Sequence, residues 1–402
     1  MTRTARAWSL LTATALVLVT AGCAEEDPSD DSAGVSGEAA AAEEGPIKMG
    51  VVLDITGAGA SLGVAERETI EMLADRVNED GGIDGRELEF IIEDNQTTED
   101  GAAKATSKLL SSDGVHILVG ASRTGPSLAM RPLAEEAEIP MISLAANQAI
   151  VDGSEWVFKT AQNDRVVLER MVDDMSANGY TKVAVARDAS GFGEGIPEML
   201  TEIGEDAGIE VVAVEKFAPD ATDFTAQMVN IRNSEPDAVL LWGIPPAAAL
   251  AQKAYEQLGL GKPVYQSHGI GNQAFLDAAG ESADGLRAAL GRMLIADQLP
   301  EDDPQKEVVT TFIADYEETY GKGPSTFAGH AYDGFMIAVN SIDEVGTDPD
   351  ALRDEIESTT DWPGVSGVFT MTPEDHSGLT KEALMIVTVE DGQWKVAEDS
   401  AR

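Results

Sequence analysis

Along residues 47–269 of this 402-residue chain, short β-branched runs trade places with longer stretches whose apolar residues recur every three or four positions. IKMGVVLDI (47–55) predicts a strand, and AERETIEMLADRVNEDGG (65–82) predicts a helix with Ile70, Leu73, Ala74 and Val77 on one face and a glycine pair as its stop. RELEFIIED (86–94) predicts a strand, EDGAAKATSKLLSSDG (99–114) a helix, VHILVG (115–120) a strand and PSLAMRPLAEEAEIP (126–140) a helix. MISLAA (141–146) predicts the next strand. The alternation restarts at TKVAVARDAS (181–190) and runs through GEGIPEMLTEIGEDAG, IEVVAVEKF, FTAQMVNIRNSEP, DAVLLWG, PAAALAQKAYEQLG and KPVYQSHG. Later, PQKEVVTTFIADYEETYG and HAYDGFMIAVNSIDEVG read as helices. GVFTM and ALMIVTVEDGQWKV read as terminal strands, the last pair joined around Asp391-Gly392. Strand–helix alternation of this kind calls for α/β architecture, with parallel sheets covered by helices on both faces.

The restart is a weak internal repeat. KMGVVLDITGAGASLG resembles KVAVARDASGFGEG, and HILVGASRTGPSLAMRPLAEEAEIPMIS parallels AVLLWGIPPAAALAQKAYEQLGLGKPVYQS. Two similar lobes follow, and a body of this length is in any case long for a single core. In open parallel sheets, ligands collect beyond the carboxyl ends of the strands. The loops expected to meet in a cleft are therefore 54–63, 120–127, 143–148, 188–195, 242–246 and 266–272.

The N-terminus breaks this rhythm. Arg3 and Arg6 precede an apolar run, WSLLTATALVLVTAG, which suits a signal-peptide core but is short for a membrane span. Small residues Thr20, Ala21 and Gly22 precede Cys23, the only cysteine. The pattern predicts signal cleavage and acylation of Cys23, with Thr20 where a lipobox usually has Leu; the alternative is an ordinary secretory signal with an incidental thiol. Residues 24–46 carry eight acids and no base, with few large apolar groups, and predict a solvated tether. The formal net charge of −45 argues against nucleic acid or anionic lipid as partner, since phosphates are repelled.

Little in the sequence points to catalysis. GAGASLG (57–63) is a loose dinucleotide-type turn whose glycines serve the strand-to-helix bend equally well, so no cofactor is expected. His116, His268, His330 and His376 are not closely paired and have no cysteine partner, so no metal is expected. No P-loop occurs. The cleft loops instead carry recognition groups: Ser122, Arg123 and Thr124 at a helix entrance suited to anions, Asn147, Phe192, Trp242 and His268. Phe327, His330 and Tyr332 add to these from a later segment. Leu62 and Ile244 complete the expected lining. Each taken singly has a plainer use, Trp242 in the core, for example, or Arg123 paired with Glu135.

NEDGGIDGRELEFIIEDNQ, LAEEAEIPMISLAAN, SGFGEG and HAYDG give the chain, from about Ile47 to Val396, a resemblance to the leucine/isoleucine/valine-binding family of ABC-importer solute receptors. The resemblance implies the type I periplasmic binding fold: two Rossmann-like lobes joined by three crossover strands, closing on a ligand by hinge motion. The crossings are expected near Thr160, Gly291 and Phe369. That gives a signal peptide at 1–22, a tether at 23–46, one lobe from 47–160 with 292–368, and another from 161–291 with 369–402. In the amino-acid binders, a hydroxyl at the position of Thr124 holds the ligand carboxylate. The Ala145 backbone and the Asn147 position frame the head group, and an aromatic often stands at the position of Phe192.

Two departures matter. His268 matches the acid that usually meets the ligand ammonium, and Arg123 adds a guanidinium beside the carboxylate-binding hydroxyl; together they shift the pocket from zwitterion toward anion. SHGIGN, ADQLPEDDP and MTPEDHSGL also resemble the branch that binds benzoate-like and cinnamate-like carboxylates, with Phe192, Trp242 and Phe327 flanking a flat ring. The implied function is a monomeric, lipid-anchored receptor outside the cytoplasm that passes a small carboxylate to ABC permease subunits, aromatic carboxylates being preferred. A branched-chain amino-acid binder, a sensor for a signalling partner and a secreted enzyme are the alternatives.

Overall fold

A computed structural model describes residues 45–397. The expected signal segment, Cys23 and all but the last two residues of the expected tether lie outside the described residues.

Five strands build the first sheet: β1 (Ile47–Leu53), β2 (Leu88–Asp94), β3 (Ile117–Gly120), β4 (Met141–Ser143) and β5 (Val157–Lys159). Their order is β2-β1-β3-β4-β5 and every pairing is parallel. The second sheet starts with β6 (Lys182–Asp188), β7 (Glu210–Phe217), β8 (Ala238–Trp242), β9 (Val264–Gln266) and β10 (Arg287–Gly291). A short ladder of β11 (Trp362–Pro363) with β12 (Val368–Phe369) stands apart. β13 (Leu384–Glu390) and β14 (Gln393–Val396) then extend the second sheet in antiparallel fashion, giving β14-β13-β10-β9-β8-β6-β7. The fold is α/β with two lobes.

Side-chain alternation sorts each sheet's residues onto two faces. In β1, Met49, Val51 and Leu53 pack toward the helices Ala60–Glu79 and Thr326–Val345, while Val52 faces the helices Glu99–Lys108 and Thr124–Ala137. In β8, Val239 and Leu241 join one core of the second lobe, Leu240 and Trp242 the other. Asp391 (φ 50°) and Gly392 (φ 71°) form the two-residue turn between β13 and β14, where left-handed backbone matches the strand twist.

Several elements arise without a sequence expectation, among them β5, β10 and the helices Asp164–Ala177, Gln273–Ala279 and Pro349–Glu357. β5 is three residues long, too short for a periodic signal. The first of these helices buries Asp164, Arg170 and Asp174 beside its apolar residues, which blurs its stripe. The third crossing also differs from expectation. Phe369, Met371, Leu379 and Ala383 pack in the same core as β1, so the chain passes to the second sheet at Leu384 rather than near Phe369. The stretch 367–371 contributes only the β12 rung, paired with β11, and no strand of the large sheets.

Candidate functional site

Strand order reverses direction between β1 and β3 in the first sheet and between β6 and β8 in the second, and loops beyond such switch points leave a crevice. Here the loops after β1, β3, β4, β6, β8 and β9 surround one cavity of about 40 Å³ between the lobes. Of the residues expected there, Leu62, Ser122, Arg123, Thr124, Ala145, Phe192, Ile244, His268 and Phe327 line it. His330, Leu144, Ala146, Ala161 and Gly269 complete the wall.

The first lobe supplies the polar side. Arg123 caps the helix Thr124–Ala137 from extended backbone (φ −129°, ψ 157°), which sets a helix N-terminus and a guanidinium at the same wall. Among the described residues no carboxylate pairs with Arg123 within 4 Å, and Glu135 pairs with Arg131 instead, at 2.9 Å. The Arg123 charge nonetheless reaches Asp54 and Asp188, partly offsetting the burial that raises both their pKa values. Asp54 accepts from Asn95 Nδ2 at 2.6 Å; Asp188 accepts from Ser190 Oγ at 2.6 Å and Ser190 N at 3.0 Å. Ser122 Oγ accepts the Asp54 N–H at 3.0 Å and is hydrogen-bonded to Glu66 Oε2. Glu66 is fully buried, and burial drives its carboxyl well above the usual carboxylate range.

The second lobe supplies an aromatic side. The Phe192 ring centroid lies 5.4 Å from those of both Trp242 and His268. Burial, with help from His330 and Lys159, pushes His268 down to about 3; His330 is likewise lowered to about 3, chiefly by burial. Both rings are thus neutral near pH 7, leaving Arg123 as the cation on the lining. No aspartate or glutamate is among the lining residues.

Behind the wall sits a buried pair that sequence reasoning missed. Lys159 Nζ donates to Ala146 O and Ala161 O, each at 2.8 Å, and burial lowers its pKa. Asp164, also fully buried, is raised by burial despite the opposing pull of Lys159. Its Oδ1 stands 3.8 Å from His268 Nε2, beyond hydrogen-bond reach.

Three expected site residues lie elsewhere. Trp242 is fully buried in the second lobe's core, and its Nε1–H donates to Phe192 O at 3.0 Å, so it props the aromatic wall from behind. Tyr332 packs against Phe312 in the first lobe's core, with ring centroids 5.0 Å apart. Asn147 caps the turn Gln148–Ile150 and donates through Nδ2 to Gly191 O at 3.1 Å, joining loops of the two lobes rather than lining the cavity. Glu66 was also missed, although its place four residues before Ile70 puts it on the predicted apolar face. Among the described residues no group of three His, Cys, Asp or Glu could hold a metal ion.

Comparison with known proteins places this geometry. Residues 46–393 match a family model described as "Periplasmic binding protein". A leucine-, isoleucine-, valine-, threonine-, and alanine-binding protein of Pseudomonas aeruginosa is 26% identical over 326 residues, covering 78% of this chain and 83% of that protein. The structure of an extracellular ligand-binding receptor from Rhodopseudomonas palustris HaA2 aligns with TM-score 0.83 and 27% identity, over 88% of this chain and 100% of that one. A branched-chain amino acid transporter substrate-binding protein from Streptococcus pneumoniae, solved with isoleucine, aligns with TM-score 0.77 and 25% identity, over 88% and 99%.

Proposed function

Because the chain belongs to the periplasmic binding protein family, among branched-chain amino acid ABC-transporter receptors, we propose that it captures a small carboxylate, with aromatic carboxylates preferred. The observation that carries this reading is the charge pattern of the lining: Arg123 and a helix N-terminus on one side, neutral His268 and His330, and no acid to meet an ammonium. A charge-assisted bond from a guanidinium suits a carboxylate. Phe192 and Phe327 offer faces to an apolar ring. At about 40 Å³ the cavity is far below the usual size of a ligand site, so capture requires the lobes to part and close again.

In this reading the protein acts outside the cytoplasm as a monomer, held to the membrane by an acylated Cys23, and hands its ligand to ABC permease subunits without chemical turnover. Cys23→Ala is expected to move the protein from the membrane fraction to the soluble one; palmitate labelling that persists in this variant defeats the anchor. A second reading, an aliphatic amino acid as ligand, draws on the relatives, whose names record leucine, isoleucine and valine binding. A thermal-shift panel of benzoates, cinnamates and aliphatic L-amino acids separates the two, since a ligand of the folded state raises the melting temperature. Stabilisation by L-isoleucine alone overturns the aromatic preference, and stabilisation by none overturns the ligand class.

A further inference from the structure

Ser122 lies on the anion side of the cavity, and two buried groups compete for its hydroxyl. A serine hydroxyl has one hydrogen to donate and two lone pairs to accept with. One lone pair takes the Asp54 N–H at 3.0 Å. The contact with Glu66 Oε2 then decides what remains for a ligand. If Glu66 is ionised it is acceptor-only, so Ser122 must spend its hydrogen on Glu66 and can offer an anion nothing. If Glu66 carries a proton, Glu66 fills the second lone pair and the Ser122 hydrogen is released toward the cavity.

The surroundings favour the second arrangement. Glu66 is fully buried and its Oε1 has no hydrogen-bond partner. The charged group that faces it across the end of β1 is Asp54, of like sign, and Arg123 on the loop after β3 acts on Asp54 rather than pairing with Glu66. From the second lobe Asp188 adds a further acid near Arg123. An ionised Glu66 is therefore a buried, unpaired charge beside the place where a ligand's own negative charge would sit.

We propose that Glu66 is a positioning residue: as the neutral acid it donates to Ser122 Oγ and so turns the Ser122 hydroxyl hydrogen toward an anion in the cavity. The inference rests on the anion-binding reading above and adds to it that capture is linked to a proton. Affinity for an anion then falls as pH rises through the range where Glu66 loses its proton, by up to about tenfold per pH unit for one linked proton.

Lys159, Asp164, His268 and His330 also titrate in or behind the wall, so a pH profile of the wild type alone is not diagnostic. Glu66→Gln supplies an amide N–H donor to Ser122 at every pH. Calorimetry with benzoate and with L-isoleucine on the full chain, from pH 5.5 to 8.5, should give E66Q the low-pH affinity of the wild type with the Glu66 part of the slope removed. Ser122→Ala should weaken binding at low pH and flatten the same slope, its melting temperature reporting whether it folds. An E66Q slope equal to the wild type's, or E66Q affinity as poor as that of Glu66→Ala, overturns the proposal. Infrared difference spectroscopy of ligand-free wild type minus E66Q at pH 7 supplies an arm that needs no ligand. The carbonyl band of a protonated carboxylic acid is expected, and an ionised-carboxylate band in its place overturns the proposal. If neither probe binds at any pH, the ligand class above fails, and the infrared band alone decides this inference.

Discussion

β1 runs into Asp54 and β6 ends at Asp188, and each acid is buried at the mouth of a Gly-rich turn that leads into a helix. The repeat visible in the sequence thus becomes two matching sheet edges facing one cavity. What they present differs. The first lobe brings Ser122, Arg123 and Thr124, while the second brings Phe192, Ile244 and His268. In the function proposed above, one half reads charge and the other reads shape, so a ligand must satisfy both to hold the halves together. The lobes also stabilise their interior acids differently. Asp174 in the second lobe accepts both Arg287 Nε and Nη2 at 2.8 Å and Tyr265 Oη at 2.6 Å. Asp333 in the first lobe has no cation partner among its described bonds: it accepts backbone amides from Val365 at 2.6 Å and Ser366 at 2.8 Å, and burial pushes it up to about 7 against the lowering effect of these amides and the Ser366 side chain.

The largest effect should come from breaking the charged interior of the second lobe. Asp174→Ala removes the buried acceptor shared by the Arg287 guanidinium and Tyr265 Oη and should cost about 3–5 kcal/mol in urea unfolding; a loss below about 1 kcal/mol would mean that the network carries little. Next is the polar side of the cleft. Arg123→Ala removes a charge-assisted contact contributing about 1.5–3 kcal/mol, or about 10- to 100-fold in affinity for benzoate by calorimetry. Unchanged affinity would take Arg123 out of the site. On the shape-reading side, Phe192→Leu keeps an apolar wall but loses ring contacts contributing about 0.5–1.5 kcal/mol. It should weaken benzoate up to about tenfold and leave L-isoleucine nearly unaffected; equal losses for both would mean that the wall reads bulk alone.

The smallest effect is a pH slope. Asp333 has a folded-state pKa above its unfolded value of 3.8, so the folded chain holds this proton more tightly, and the stability it gains is lost as pH rises from about 4 to 7. His268 and His330, lowered by burial, act oppositely below pH 6.5. The sign is therefore read from a difference: by scanning calorimetry, Asp333→Asn should gain melting temperature relative to the wild type between pH 5 and 7. Parallel curves would show that Asp333 titrates normally.

The comparison also explains what the sequence could and could not say. Strand-helix alternation gave the α/β class and the six loops that ring the cavity, because each loop follows a strand whose apolar run is local. Side-chain direction is subtler. Trp242 shares a face with Leu240, two residues earlier in β8, and that alternation already turns it toward the helices. Tyr332 follows Phe327 by five residues, about 140° around the helix, and so points away from the cavity. Glu66 and Asp164 read as solvated acids in a chain with 72 of them; the spacing of Glu66 from Ile70 puts it on the apolar helix face, whereas only long-range packing reveals the burial of Asp164.

The first lobe's sheet is complete by Lys159, yet Val309, Phe312, Phe335 and Ile337, which pack in the same core as Met49 and Val51, come only after the parallel strands of the second lobe. A chain emerging from N- to C-terminus therefore holds an apolar sheet face covered only by the helix Ala60–Glu79 until the segment 306–345 arrives. Maturation of the first half waits on translation of nearly the whole polypeptide, so the two halves cannot ripen one after the other as independent units would.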